Sequence, residues 1–359
     1  MRFQKFIYSL VILIIISFSL SIAQKQGITM EEFVFMESPF KECHASTIVE
    51  TPEGLVSAWF GGTEEKNKDV EIWMSRKING AWTNPVSVAS GIQDASLRYP
   101  CWNPVLFQVP GGPLQIYYKV GPSPREWWGM LIQSNNYGKT WENPVKLRDG
   151  ILGPIKNKPV LLGNGTLLSP TSTENAGWCV HFEYSTDFGK TWTKGEPIND
   201  GKKYNAIQPS VLFYPDNKLQ ILARSKEQVV LSSWSSDLGK TWSELEPSGL
   251  PNPNSGTDAV TLSTGQQLIV YNHVGKKPNK WGGKRSPLNV AISQDGKNWE
   301  AALVLEDEEG EYSYPAVIQA QDGSVHIVYT WKRERIKHVV INPSELSTKP
   351  IVDGVWPEW

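Results

Sequence analysis

Cysteine is scarce: the 359 residues contain three, Cys43, Cys101 and Cys179. An odd count with no Cys-x-x-Cys pair excludes a disulfide framework and a thiolate zinc site of ordinary spacing. Cys43 and Cys101 fall at equivalent points of two neighbouring repeats, so a bridge between them is conceivable, and buried free thiols are the simpler expectation. A dominant charge is missing too. Lys and Arg number 35 against 37 Asp and Glu, and the basic residues are scattered. Phosphate backbones need a basic face, which argues against nucleic acid as a partner. No apolar run of spanning length follows the N-terminus, so the mature chain carries no membrane span. A Rossmann glycine string, a P-loop and an HExxH pair are all absent, and no cofactor is expected. No metal is expected either, because the acidic run Glu306 to Glu309 lacks the spaced Asp and Gly ligands of a calcium loop.

The N-terminus carries a targeting pattern. Arg2 and Lys5 precede an apolar core from Leu10 to Leu20, and Ser21-Ile22-Ala23 offers a small-residue cleavage site before Gln24. Residues 1–23 read as a signal peptide and 24–359 as a single domain, exported to the periplasm, the medium or the cell surface. An uncleaved membrane anchor is the alternative.

What the chain has in abundance is repetition. The pattern Ser-x-Asp/Asn-x-Gly-x-Thr-Trp runs from Ser134 to Trp141, Ser185 to Trp192 and Ser235 to Trp242, with a shortened copy from Ser293 to Trp299 and a worn one from Ser75 to Trp82. The tryptophans recur every ~50–60 residues, the length of one four-stranded propeller blade. Ser, Asp and Gly fix a turn and Trp buries at the outer rim, so the boxes are structural. Between them lie six apolar hairpins that open near His44, Trp102, Asn157, Ile207, Thr257 and Tyr312. They turn at Gly54, Gly111-Gly112, Gly165, Asn217, Gly265 and Gly323. Six hairpins predict an all-β fold, a six-bladed β-propeller of four-stranded antiparallel blades. The sixth blade has no box. A radial array must hide its open edge, so Ile28 to Phe35 is expected to pair with the segment containing Lys337 to Ile341.

In a propeller the first strand of each blade lines the channel, which gathers strand starts at one mouth. One ring there holds His44, Trp102 or Asn103, Asn157 or Lys158, Gln208, Asp258, and Tyr312 or Tyr314. A second ring, from the far ends of the hairpins, holds Lys119, Thr171, Arg224, His273 and Trp331. Polar and aromatic groups recurring at one repeat position describe a wet pocket with stacking walls, which suits carbohydrate. Trp127-Trp128, on a Pro-rich loop, reads equally as a sugar platform or a blade cover.

Over essentially the whole mature chain the boxes and hairpins resemble the sialidase superfamily, the Asp-box six-bladed propellers. The resemblance implies a glycan partner with an acidic sugar and an exo-glycosidase site of three arginines, an acidic Asp, and a Tyr nucleophile assisted by a Glu. The first arginine position reads His44-Ala45-Ser46, a departure. The acid matches Asp69 in Lys-Asp-Val-Glu-Ile-Trp. The assisting Glu position holds Gln208, a second departure. The second and third arginines match Arg224 and Arg285, and the nucleophile matches Tyr312. The ring residues Trp102, Asn103, Lys119, Lys158, Asp258, His273 and Tyr314 complete the expected sugar contacts.

The chemistry explains why the departures matter. A sialic acid carries its carboxylate on the anomeric carbon, so a carboxylate nucleophile would meet like charge and Tyr replaces it. Phenol needs a base beside it, and Gln208 cannot accept a proton, so either another group such as Glu311 or Glu71 serves or Tyr312 does not attack. His44 binds a carboxylate through at most two nitrogens, and its charge depends on pH near 6.5. Two other readings stand beside the hydrolase. One is a uronate-directed polysaccharide lyase in which Arg224 neutralises the carboxylate while His44 and Tyr312 handle the protons. The other is a non-catalytic glycan-binding propeller.

Overall fold

The computed structural model describes residues 26–275 and 282–359. The signal peptide expected at residues 1–23 lies outside the described residues. Within them the chain forms six antiparallel sheets of at least four strands each, arranged as successive blades. All six inner hairpins turn where the glycines and Asn217 predict, and the turn residues Gly54, Gly111, Gly165, Asn217, Gly265 and Gly323 all have positive φ. Left-handed backbone costs Gly nothing and Asn little, which is why these residues mark the turns.

The ring closes as expected. The strand Ile28–Phe33 pairs antiparallel with Arg335–Ile341, with Ile28 opposite Ile341 and Phe33 opposite Lys337. Blade six is therefore built from both ends of the described chain. Its junction with blade one is locked by a single carboxylate. Glu32 Oε1 accepts from Lys77 Nζ at 2.5 Å, Trp82 Nε1 at 2.8 Å and His338 Nδ1 at 2.8 Å. Burial works against the Glu32 charge, but the three donors outweigh it and hold its pKa at about 2. His338 Nε2 in turn meets His326 Nδ1 at 2.9 Å, and burial holds both imidazoles below 6.5, His326 at about 4.

These groups make closure acid-sensitive. Above pH ~6.5 both histidines are neutral in either state and cost nothing. As pH falls from there toward about 4, the unfolded chain takes up protons that the folded one refuses, and Glu32 adds a second loss between ~4.5 and about 2. The melting temperature should fall by a few degrees between pH 6.5 and 4. His326→Leu should flatten that slope, and an unchanged slope would show that the pair does not titrate on unfolding.

The boxes tie each blade to the one before it. In the copies at Ser185 and Ser235, the serine hydroxyl accepts from the glycine amide at 2.8 and 2.9 Å, and the aspartate accepts from the threonine amide at 2.9 Å. The turn so fixed throws the tryptophan onto the preceding blade. Trp242 stacks on Phe182 at 4.4 Å between centroids, and Trp192 meets Tyr117 edge-on at 5.9 Å. All three cysteines are free thiols; Cys43 and Cys101 are buried and Cys179 is half-buried, so no bridge joins the first two blades. No helix among the described residues is long and apolar enough to cross a membrane.

Candidate functional site

Four of the six inner strands break their ladders at the same repeat position. The register shifts between His44 and Thr47, Trp102 and Val105, Ile207 and Ser210, and Ser313 and Ala316. Within each shift one non-glycine residue has positive φ: Ala45 at 56°, Asn103 at 20°, Gln208 at 56° and Tyr314 at 52°. Such bulges re-aim side chains. Pro104, Pro209 and Pro315 follow three of the four, and proline has no N–H to leave unpaired where a ladder is interrupted.

The bulge on blade six sends Tyr314 to the channel mouth. Arg224 Nη1 donates to Tyr314 Oη at 2.8 Å and to Gln208 Oε1 at 3.3 Å. The guanidinium lies 5.1 Å from the Trp178 ring and 5.5 Å from the Tyr314 ring. His44 also packs against Tyr314, ring centroids 4.2 Å apart. Gly256 comes so close that an added Cβ would stand 3.1 Å from Tyr314 Cδ2, so the phenol has little room to swing. Arg285 Nη1 donates to Asn254 O at 3.1 Å. Arg333 is gripped by Glu311 at 2.9 Å through Nε and by Glu65 at 2.7 Å through Nη1.

His44 reports how much positive charge converges here. Burial pushes its pKa well below 6.5, and Arg333, Arg285, Arg224 and Lys156 each push it further down. His44 is thus a neutral imidazole rather than a carboxylate-binding cation. Burial and Arg224 also lower the Arg285 pKa, while Tyr314 and Glu311 oppose them. For Arg333 burial lowers the value, but Glu311 and Glu65 outweigh it and raise it.

Beneath this cluster two charges staple the channel. Lys156 Nζ donates to Asn157 Oδ1, Thr257 O and Pro315 O at 2.8, 2.8 and 2.6 Å. Burial pulls Lys156 down to about 7 against the support of Asp258, yet three acceptor oxygens are what an ammonium requires. Asp258 takes Lys158 Nζ at 2.9 Å, Ser210 Oγ at 2.8 Å, the Ala259 amide at 2.9 Å and the Val317 amide at 2.8 Å. Those donors come from blades three, four, five and six.

Of the residues expected from sequence, the structure brings together His44, Gln208, Arg224, Arg285 and Tyr314. Asp69 stands on the loop that also carries Glu65. Burial raises its pKa slightly, but the Thr63 hydroxyl and amide bind its Oδ2 and hold it below the usual value. Asn103 is buried at the bulge of blade two. Lys158 and Asp258 are spent on each other.

Four expected residues point elsewhere. Tyr312 has the same strand parity as Tyr314, but Tyr312 and Ser313 are still in register while Tyr314 lies inside the bulge with positive φ, so the two rings part. The Tyr312 side chain is fully buried between blades five and six, 6.4 Å from Trp331. Lys119 Nζ donates to Pro154 O at 2.6 Å between blades two and three. His273 is held by Tyr271 Oη at 2.6 Å and Gly354 O at 3.0 Å, and burial lowers its pKa to about 4. Trp102 Nε1 donates to Gly121 O at 2.8 Å and its ring packs against Trp127.

Sequence reasoning missed Arg333, although it lies two residues beyond Trp331 in the second ring. It also missed Glu174, just past the blade-three hairpin. Burial raises the Glu174 pKa, opposed by Arg224 and a hydrogen bond from Trp178.

The model of a BNR repeat-like domain matches residues 53–327. No curated protein matches the sequence. Among solved structures, a protein of unknown function from Dyadobacter fermentans superposes with TM-score 0.71 at 16% identity, covering 90% of this chain and 100% of its own. The Hadza microbial sialidase Hz136 gives 0.72 at 18% identity, with 89% and 69% covered. The intramolecular trans-sialidase from Ruminococcus gnavus, bound to oseltamivir carboxylate, gives 0.69 at 13%, with 90% and 99% covered. Box turns, ring closure and these matches agree that the chain belongs to the BNR repeat-like family and shares the six-bladed propeller fold of the sialidases.

Proposed function

We propose that this chain is an exported, exo-acting glycoside hydrolase for a sugar that carries a carboxylate. One observation supports this above all: Arg224 bonds the phenol of Tyr314, and three guanidinium groups from consecutive blades, Arg224, Arg285 and Arg333, act with Lys156 on His44, whose ring packs against that phenol. Arg224 and Arg285 hold the sugar carboxylate by charge-assisted bonds, and Arg333 supplies the third charge in place of the neutral His44. Tyr314 Oη attacks the anomeric carbon and gives its proton, through one bridging water, to Glu311, which accepts from the neighbouring Ser313 Oγ at 2.9 Å. The glycosidic bond breaks, and the leaving oxygen takes a proton from Asp69. Water then cleaves the tyrosyl bond.

The acid role carries a pH signature. Thr63 favours the ionised form of Asp69, so activity should climb as the medium becomes acidic and the carboxyl gains its proton. Thr63→Val removes one hydrogen bond to that carboxylate and should move the falling limb of the pH profile up by about one unit. A profile that does not move would remove Asp69 from the acid role.

A second reading draws on His44. Its neutral ring lies against Tyr314, and no carboxylate among the described residues bonds to Tyr314 Oη. That is an arrangement for β-elimination from a uronic acid: Arg224 neutralises the carboxylate, His44 removes the α-proton and Tyr314 protonates the leaving oxygen. Elimination leaves a conjugated double bond. Release of reducing sugar without new ultraviolet absorbance decides for hydrolysis, and rising absorbance decides for the lyase.

A further inference from the structure

A second cavity borders the mouth. Between blades two and three a cleft of about 210 Å³ is lined by Trp127 and Trp128 on one side, by Glu174 on another, and by the cations Arg125, Arg148 and Lys194. Trp178 connects it to the arginine cluster, bonding Glu174 while its ring lies 5.1 Å from the Arg224 guanidinium. An aromatic path links the two. Trp127 meets Trp102 at 5.9 Å, Trp102 meets Phe60 at 6.5 Å, and Phe60 meets His44 at 5.6 Å.

The cleft is built on a rigid floor. Glu183, fully buried, accepts the amides of Leu152 at 2.9 Å and Gly153 at 2.6 Å, and Lys119 takes the next carbonyl, Pro154 O. The charges facing it do not cancel. Asp149 is already bonded to Lys146 at 2.9 Å, which leaves Glu174 as the cleft's other carboxylate against the three cations Arg125, Arg148 and Lys194. No ion pair among the described residues engages Arg125 or Arg148, and both are exposed.

We infer that this cleft holds the leaving portion of the glycan and that the sugar there bears its own acid group, carboxylate or sulfate. The substrate is then a polyanionic chain rather than one acidic sugar capping a neutral chain. The inference rests on the glycan reading of the mouth. Indole faces stack on sugar rings, and guanidinium forks select planar or tetrahedral oxyanions over hydroxyls.

Titration calorimetry with the whole protein tests it, using an oligogalacturonate tetrasaccharide, a chondroitin sulfate tetrasaccharide and neutral cellotetraose. At least one anionic probe should bind ten-fold or more tighter than cellotetraose. The double variant Arg125→Ser, Arg148→Ser should weaken that probe about ten-fold, and added salt should do the same to the parent protein. Equal binding of the neutral probe, or anionic binding indifferent to the double variant, overturns the inference. An Arg224→Ala arm separates the two proposals. If the dependence on Arg125 and Arg148 persists there and the parent protein turns over none of the acidic glycans, the cleft stands and the hydrolase falls. Turnover of acidic glycans with no such dependence sinks the cleft alone.

Discussion

Tyr314→Phe should lower kcat by about three orders of magnitude, while Tyr312→Phe leaves it within about two-fold. The two residues are separated by Ser313 in one strand, and the sequence offers nothing in their side chains to choose between them. Their surroundings decide. Tyr314 Oη receives Arg224 and its ring contacts His44, whereas Tyr312 is enclosed by the blade-five and blade-six core. Because phenylalanine preserves the ring that packs against His44 and Gly256, the fold is retained and the loss belongs to the hydroxyl. Affinity for an acidic sugar should persist in Tyr314→Phe and fall about a hundred-fold or more in Arg224→Ala, the scale of a lost buried charge-assisted pair. The opposite split, with Tyr312→Phe inactive and Tyr314→Phe active, would overturn the assignment. Binding without turnover in the parent protein would identify a glycan-binding propeller.

Asp258→Ala is expected to cost about 3–5 kcal/mol of stability, the range for removing one partner of a buried charge network. The side chain is 3% exposed, and its removal strands the Lys158 ammonium, the Ser210 hydroxyl and the Val317 amide together. Asp258→Asn should recover only part of this, since an amide offers one acceptor oxygen in place of two. Chemical denaturation measures both. A loss below about 1 kcal/mol would mean that solvent or rearrangement satisfies those donors, and that Asp258 faces the sugar as the sequence suggested.

The reading from sequence succeeded where the repeat itself carries the information. Box spacing gave the blade length, glycines and Asn217 gave the hairpin turns, and the missing sixth box implied the closing strand. It failed where a bulge intervenes. Strand alternation treats Tyr312 and Tyr314 as facing one way, and only the left-handed backbone of Tyr314 itself, inside the register shift from Ser313 to Ala316, separates them. A faint signal was present: Asn103-Pro104, Gln208-Pro209 and Tyr314-Pro315 place proline in the interior of strands, where a ladder tolerates it only at an interruption. The polar ring positions were harder. Asp258, Lys158 and Lys119 look like sugar ligands in a list of mouth residues, yet each is consumed by a partner on another blade. Arg333 and Glu174 lie just past strand ends, where the repeat pattern no longer fixes direction.

The pairing of Ile28–Phe33 with Arg335–Ile341 also sets an order of events during synthesis. The strand Ile28–Phe33 emerges about three hundred residues before its partner, so the nascent chain carries one unpaired edge while the intervening blades are made. A ribosome that stalls before Ile341 therefore releases an open ring with a sticky flank, and such fragments should be prone to associate through it, each lending the other the strand it lacks.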